Sequence, residues 1–151
     1  MRLVRTLVAC SLVACAVALS APPPASASSL AGRVIAYVNQ VRKERGRRPL
    51  RASPSLARSS SRYARWMLRN DYFGHRGAIA ASGRFRRLGE ALAMQWGWRP
   101  SWRWAVRAWM RSATHRRILL SGSFSRIGVG MALGRMGRRR ATTWVVHVGG
   151  G

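Results

Sequence analysis

Residues 109–119 read WMRSATHRRIL, and this stretch decides the fold. Trp109 closes an apolar stripe at helical spacing, arginines occupy the opposite face, and Pro100 fits the first helical position. This pattern predicts a helix over 100–112 that packs through Trp109. His115 lies three residues after the predicted end of that helix.

Two further polar positions stand out upstream of this stretch. His75 ends the run YFGH (72–75), and Glu90 lies in the run GEALA (89–93). The chain has 28 Lys and Arg residues against only 3 acidic ones, so a retained carboxylate indicates a specific role. Two imidazoles and one carboxylate are a donor set that zinc or a similar divalent ion accepts, with water as a fourth ligand. An alternative needs no metal: Glu90 hydrogen-bonds a histidine and fixes its tautomer.

The rest of the pattern predicts an α+β domain. Apolar residues at helical spacing predict a helix from residue 30 to about 45 and a second over 54–70, the latter with an outer row of arginines. Short strands are predicted over 91–94, 125–133 and 142–148, with a turn over 134–140. This order predicts helices packed on a small antiparallel sheet.

The amino-terminal segment 1–27 is typical of a secretory signal. Basic residues precede an apolar run over 7–19, and small residues at 25–27 form a cleavage site. The run LVAC (12–15) also resembles a lipoprotein box, which makes a lipid anchor at Cys15 the alternative. We expect 28–151 to form one domain that is secreted, either extracellular or associated with the cell wall.

The formal net charge of +25 predicts anionic partners. Anionic wall polymers and membrane surfaces fit an exported protein better than nucleic acid does, and no nucleic-acid-binding signature is present. A GC-rich coding bias is an equally good explanation of the arginines, since Lys43 is the only lysine.

The ordered motifs resemble the bacterial branch of the CAP superfamily, which includes cysteine-rich secretory proteins, antigen 5 and pathogenesis-related proteins. The resemblance spans nearly all of 32–149. It is carried by the runs VNQVR (38–42), YFGH (72–75), GE (89–90), WMRSATHRRIL (109–119) and IGVG (127–130), together with Trp144.

That resemblance implies an α-β-α sandwich with a central cleft. His75, Glu90 and His115 occupy three of the four cleft positions of the family, whereas the fourth, a glutamate in the fullest form, is Ser112 here. The resemblance therefore does not support a four-ligand metal site. Ala91 replaces the asparagine of the family's Gly-Glu-Asn motif, which indicates a cleft that is loosened or repurposed.

We therefore predict a binding module whose cleft (His75, Glu90, His115 and Ser112) holds a divalent metal or a small ligand. A lipid ligand is implied only by distant relatives. One alternative is a metal- or Ser-assisted hydrolase of peptide or cell-wall material, although no nucleophile elbow accompanies Ser112. Another is a purely electrostatic binder. We expect Trp96 and Trp98 to pack over the third helix. The alternative is that they form an exposed aromatic lip that binds a lipid or glycan.

Overall fold

The computed structural model describes residues 29–81 and 85–151. The signal segment and Cys15 lie outside the described residues. Four helices and four strands follow one another as α1 (Leu30–Glu44), β1 (Arg51–Ala52), α2 (Pro54–Arg69), β2 (Arg87–Trp96), α3 (Trp102–Arg111), α4 (Ala113–Leu120), β3 (Arg126–Met136) and β4 (Arg139–Gly150). None of the helices in the described ranges is long and apolar enough to cross a membrane.

The helices begin where the sequence supplies a hydroxyl to cap them. Ser29, Ser53, Ser101 and Ser112 are the N-caps of α1 to α4, and each side chain accepts a backbone N–H from the first turn. Pro54 then occupies the first turn of α2, where its missing N–H costs nothing. These local signals explain why the predicted starts of α1 and α2 are confirmed.

The sheet has the order β1-β3-β4-β2. Both pairs that involve β4 are antiparallel, as predicted, and the two-residue β1 adds one parallel pair against β3. The long strand β4 therefore lies between β3 and β2, and the residues on its two faces point into different layers.

Two apolar layers cover the two faces of the sheet. On one face, α1, α3 and α4 bury residues such as Val38, Trp109 and Leu119 against Trp144 and Val146. On the other, α2 packs Ala64 and Met67 against alternating sheet positions that include Leu92 and Val145. The α-β-α sandwich is thus confirmed, and the outer arginine row of α2 is exposed to solvent.

Helix α2 lies unusually close to strand β3. A Cβ at Gly128 would overlap the backbone of Ala57, and one at Gly130 would overlap the backbone of Ser61. These two glycines let the helix backbone approach the strand directly. The approach matters because it brings the polar side of α2 onto the central strands.

The elements differ from the predicted ones in four places. Strand β2 runs from Arg87 to Trp96, so it is longer at both ends than the predicted strand over 91–94. The turn predicted over 134–140 is wrong in extent, because β3 continues to Met136 and β4 begins at Arg139. Gly137, at φ 56°, allows a two-residue hairpin turn between the strands. The arginines around it made the predicted turn too long. The strand β1 and the helix α4 were not predicted, since both are short and their positions depend on tertiary contacts.

Candidate functional site

The centre of the site is a cross-strand pair. Glu90 on β2 and His147 on β4 are register partners in the antiparallel ladder. Their side chains share the face that α2 covers, and the Nε2 atom of His147 lies 2.8 Å from Oε2 of Glu90. Both residues are buried, with 2% of His147 and 8% of Glu90 exposed. A carboxylate in this position is well shielded from water, so its hydrogen bonds are strong.

The second oxygen of Glu90 binds His75. The Nδ1 atom of His75 lies 2.7 Å from Oε1, and the imidazole remains largely exposed on its other side. Two tyrosines hold the loop that carries His75: the Tyr63 hydroxyl donates to Gly74 O at 2.5 Å, and the Tyr72 hydroxyl donates to His75 O at 2.9 Å. Burial, followed by the nearby Glu90 carboxylate, raises the pKa of Tyr63 to about 12, which keeps its hydroxyl a donor.

His115 joins the site from helix α4. Its ring centroid lies 6.0 Å from that of His75, with the two planes tilted by 49°. Burial lowers the pKa of His115 below its ordinary value, and the nearby His75 lowers it further. Glu90 partly opposes this effect by raising the pKa. The neutral imidazole is therefore favoured, which is the form that binds metals.

Ser112 has a structural position at the start of α4. Its hydroxyl accepts the backbone N–H of His115 as the N-cap, at 3.5 Å, and so helps to set where the helix that carries His115 begins. The side chain of Ala91 is fully buried in the core against α1 and α3. Since adjacent strand residues point to opposite faces, Ala91 lies behind the sheet and does not line the cleft beside Glu90.

The structure adds Ser59 and His147, which sequence reasoning did not place in the site. The Ser59 hydroxyl on α2 lies 2.6 Å from Nδ1 of His147 and 3.0 Å from Leu56 O. An ionised carboxylate only accepts hydrogen bonds, so both imidazoles donate to Glu90. The neutral His147 ring then carries its proton on Nε2 and offers Nδ1 as an acceptor to Ser59, whose single hydroxyl proton has Leu56 O as its other acceptor. The result is a continuous chain from Ser59 through His147 and Glu90 to His75.

A pocket of about 230 Å³ opens beside the inner end of this chain. Aromatic rings form one wall, since Tyr63 stacks on Trp66 at 5.8 Å and on His147 at 6.4 Å between centroids. The guanidinium of Arg76 lies 4.3 Å above the Trp66 ring. The pocket is lined by Ser59, Arg62, Tyr63, Trp66, Arg76, Ala78, Ile79, Ala80, Glu90 and His147.

The expectation that Trp96 and Trp98 pack over the third helix is wrong. Both side chains are nearly half exposed, at 46% and 47%. Arginines of β4 cover one face of each ring, with Arg139 3.9 Å from the Trp96 centroid and Arg140 4.4 Å from that of Trp98. The positive φ of 97° at Gly97 turns the chain at this point and keeps both rings at the surface.

A protein of Bacillus subtilis is similar to this chain in sequence. The sequence is 28% identical over 116 residues to YkwD, an uncharacterized protein of Bacillus subtilis (strain 168). That alignment covers 71% of this chain and 44% of YkwD, so the chain spans less than half the length of this relative.

Solved structures share the fold at low sequence identity. An extracellular protein with an SCP domain from Bacillus anthracis str. Ames has a TM-score of 0.66 at 19% identity, covering 81% of this chain and 40% of that one. An outer surface protein from Borrelia burgdorferi has a TM-score of 0.63 at 18% identity, over 78% and 90% of the two chains. Venom allergen-like protein 4 from Schistosoma mansoni has a TM-score of 0.61 at 17% identity, over 82% and 89%.

The sequence also matches the family model of the cysteine-rich secretory protein family, CAP. The match covers residues 35–148, which include every helix and strand except the ends of α1 and β4. The chain therefore belongs to the CAP family, the cysteine-rich secretory protein family.

Proposed function

We propose that this protein is an extracellular binding domain whose cleft holds a divalent metal ion, zinc foremost, between His75 and His115. The hydrogen bond from His75 Nδ1 to Glu90 carries this proposal, because it fixes the tautomer and leaves Nε2 free on the exposed side of the ring. His115 lies beside it as a second imidazole that favours its neutral form. In this arrangement Glu90 orients a ligand instead of binding the ion itself.

The two histidines fit a metal site in which some coordination positions stay open to water or a ligand. Within 29–81 and 85–151, no three His, Cys, Asp or Glu side chains are grouped to hold an ion together. Two imidazoles would hold the ion, and water or an external ligand would complete its coordination. A zinc ion held in this way would supply a positive centre for an anionic group of a small ligand. Affinity would be modest, because the protein supplies fewer donors than a structural site does.

A calorimetric zinc titration tests this proposal. We expect saturable one-to-one binding to the purified protein and its loss in the His75→Ala/His115→Ala double variant. Thr114→Ala, an exposed change on the same helix, should bind like the parent protein. Glu90→Gln should weaken zinc binding by roughly 10- to 100-fold, as expected when a partner that orients a metal-bound histidine is altered. Absence of binding, or equal binding by the double variant, would refute the proposal.

A second binding function is favoured by a groove beside β1 and the start of β3, at the edge of the sheet opposite β2. The groove measures about 700 Å³ and is lined by Arg42, Gly46, Arg47, Arg48, Pro49, Arg51, Gly122, Phe124, Ser125 and Arg126. Arg42 is buried there, and its guanidinium donates to the carbonyls of Arg48, Leu119 and Ser121 and has no carboxylate partner among the residues that the structure describes. Its charge therefore adds to that of the exposed arginines, so the groove suits an anionic polymer of the cell wall.

Salt dependence separates this function from cleft binding. Polyphosphate, used as a model polyanion, should bind with an affinity that falls steeply between about 50 and 200 mM salt. The double variant Arg47→Ser/Arg126→Ser should weaken binding, whereas His75→Ala/His115→Ala should leave it unchanged. Binding that is insensitive to salt or to the groove variant would rule the groove out.

A further inference from the structure

The inner end of the polar chain has the arrangement of a nucleophile beside its base. Ser59 Oγ lies 2.6 Å from Nδ1 of His147, and Nε2 of the same ring lies 2.8 Å from Glu90. A hydroxyl, an imidazole and a carboxylate in this order form the constellation in which serine is activated for acyl transfer. We propose that Ser59 is a catalytic nucleophile that takes an acyl group from a small ester in the 230 Å³ pocket.

The tautomer of His147 allows its ring to act as the base for Ser59. Because Glu90 accepts from Nε2, the lone pair of Nδ1 is directed to the Ser59 hydroxyl and can receive its proton. Leu56 O, at 3.0 Å, is the competing acceptor for that proton. The shorter distance to the imidazole favours the productive hydrogen bond.

Ser59 also has a space in which a substrate can lie. Only 3% of Ser59 is exposed, yet the residue lines the pocket together with His147. The apolar wall formed by 78–80 suits a short, uncharged acyl group, whereas 230 Å³ leaves no room for a large one. Arg62 and Arg76, both part of the lining, would favour a negatively charged alcohol portion.

The proposed reaction is hydrolysis of such an ester in two balanced steps. Ser59 Oγ attacks the acyl carbon, its proton passes to Nδ1 of His147, and the ester C–O bond breaks as the alcohol leaves with that proton. Water then attacks the acyl-serine, gives one proton to His147 and releases the carboxylic acid. The same proton returns to Ser59 Oγ, so the enzyme regains its starting state.

Glu90→Gln is an informative variant because the amide can reverse the chain of hydrogen bonds. Its NH₂ group would donate to Nε2 of His147, which moves the ring proton to Nδ1. Ser59 would then accept from His147 and donate to Leu56 O, so every buried group keeps a partner. The fold is preserved, but the serine loses its base.

Covalent labelling tests the proposal. An alkyl fluorophosphonate should modify Ser59 stoichiometrically, as located by peptide mass spectrometry, and 4-nitrophenyl acetate should be hydrolysed faster than 4-nitrophenyl octanoate. Ser59→Ala should abolish labelling, Ser61→Ala on the same helix should retain it, and Glu90→Gln should slow it about 100-fold or more, as expected for loss of a general base. Circular dichroism is the control that tests whether each variant is folded.

The outcomes separate this proposal from the metal site. Labelling should proceed at the same rate with and without EDTA, and zinc binding should persist in Ser59→Ala. An adduct at Ser112 or elsewhere, no adduct on the folded protein, or equal labelling rates in Glu90→Gln and the parent protein would overturn the assignment of Ser59.

Discussion

Glu90 and His147 face each other across strands β2 and β4, and one hydrogen bond of 2.8 Å joins their side chains beneath helix α2. The same carboxylate reaches His75 with its other oxygen. Glu90 thus divides the site into an exposed branch, which ends at His75 and His115, and a buried branch, which ends at Ser59. Each branch supports a different chemistry, and both depend on one of the three acidic residues in the chain.

Replacement of Glu90 should show how much the buried branch contributes to stability. Glu90→Leu leaves Nε2 of His147 buried without a partner, which we expect to lower the free energy of unfolding by about 1–3 kcal/mol. Glu90→Gln should cost less, because the ring of His147 can change its tautomer. Urea denaturation monitored by circular dichroism compares the two variants. A smaller loss for Glu90→Leu than for Glu90→Gln would contradict the proposed hydrogen-bond pattern.

Gly128→Ala should strongly destabilise the protein. The new methyl group would overlap the backbone of Leu56 and Ala57, so helix α2 must move away from the sheet. We expect a loss of about 3 kcal/mol or more in the free energy of unfolding, at the upper end for overpacking. Gly77→Ala meets nothing within 4 Å and serves as the control, with a change of about 0.5 kcal/mol or less. Equal melting temperatures for the two variants would show that α2 is not packed as described.

His115 should titrate below the ordinary histidine pKa of 6.5. Because its folded-state pKa is lowered, the unfolded chain takes up a proton first as the pH falls. The stability of the fold should therefore decline from about pH 6.5 downwards and stop declining below the folded pKa. Two-dimensional NMR of the imidazole measures this titration directly. His75→Ala should raise the pKa of His115, since it removes the electrostatic effect by which His75 lowers that pKa, and an unchanged value would contradict the pairing.

Tyr63→Phe should loosen the loop that carries His75. The variant loses the hydrogen bond to Gly74 O, which we expect to cost about 0.5–1.5 kcal/mol of stability. In the parent protein the ultraviolet absorbance change of tyrosine ionisation should include a step at about pH 12 that the variant lacks. Because this pKa is raised above 10, stability should fall as the pH rises from about 10 to 12. A step that remains in Tyr63→Phe would assign it to another tyrosine.

Much of the fold could be predicted because its signals are local. The caps Ser29 and Ser53 and the apolar stripes of α1 and α2 depend on neighbours a few residues apart, so the chain itself specifies those helices. The short strand β1 could not be predicted in the same way. It forms because residues 51–52 meet β3 about 75 positions later, and two residues carry no periodic pattern.

The candidate site was predictable only in part. The scarcity of acidic residues singled out Glu90, and the ordered motifs singled out His75 and His115. His147 interrupts an apolar run on β4, but that pattern alone does not show which residue lies opposite it. The register between β2 and β4 decides this, and a shift of one residue would turn His147 to the other face of the sheet.

The sequence by itself therefore determined helices α1 to α3, the family and the residue types available for chemistry, because helix propensity, capping residues and ordered motifs depend on residues close together in the chain. Only the tertiary structure decided how those residues are joined. Strand register places Glu90 against His147, and the two glycines of β3 let α2 come close enough for Ser59 to reach the same imidazole. Hydrogen bonds between residues 57 and 88 positions apart depend on packing that no local pattern encodes.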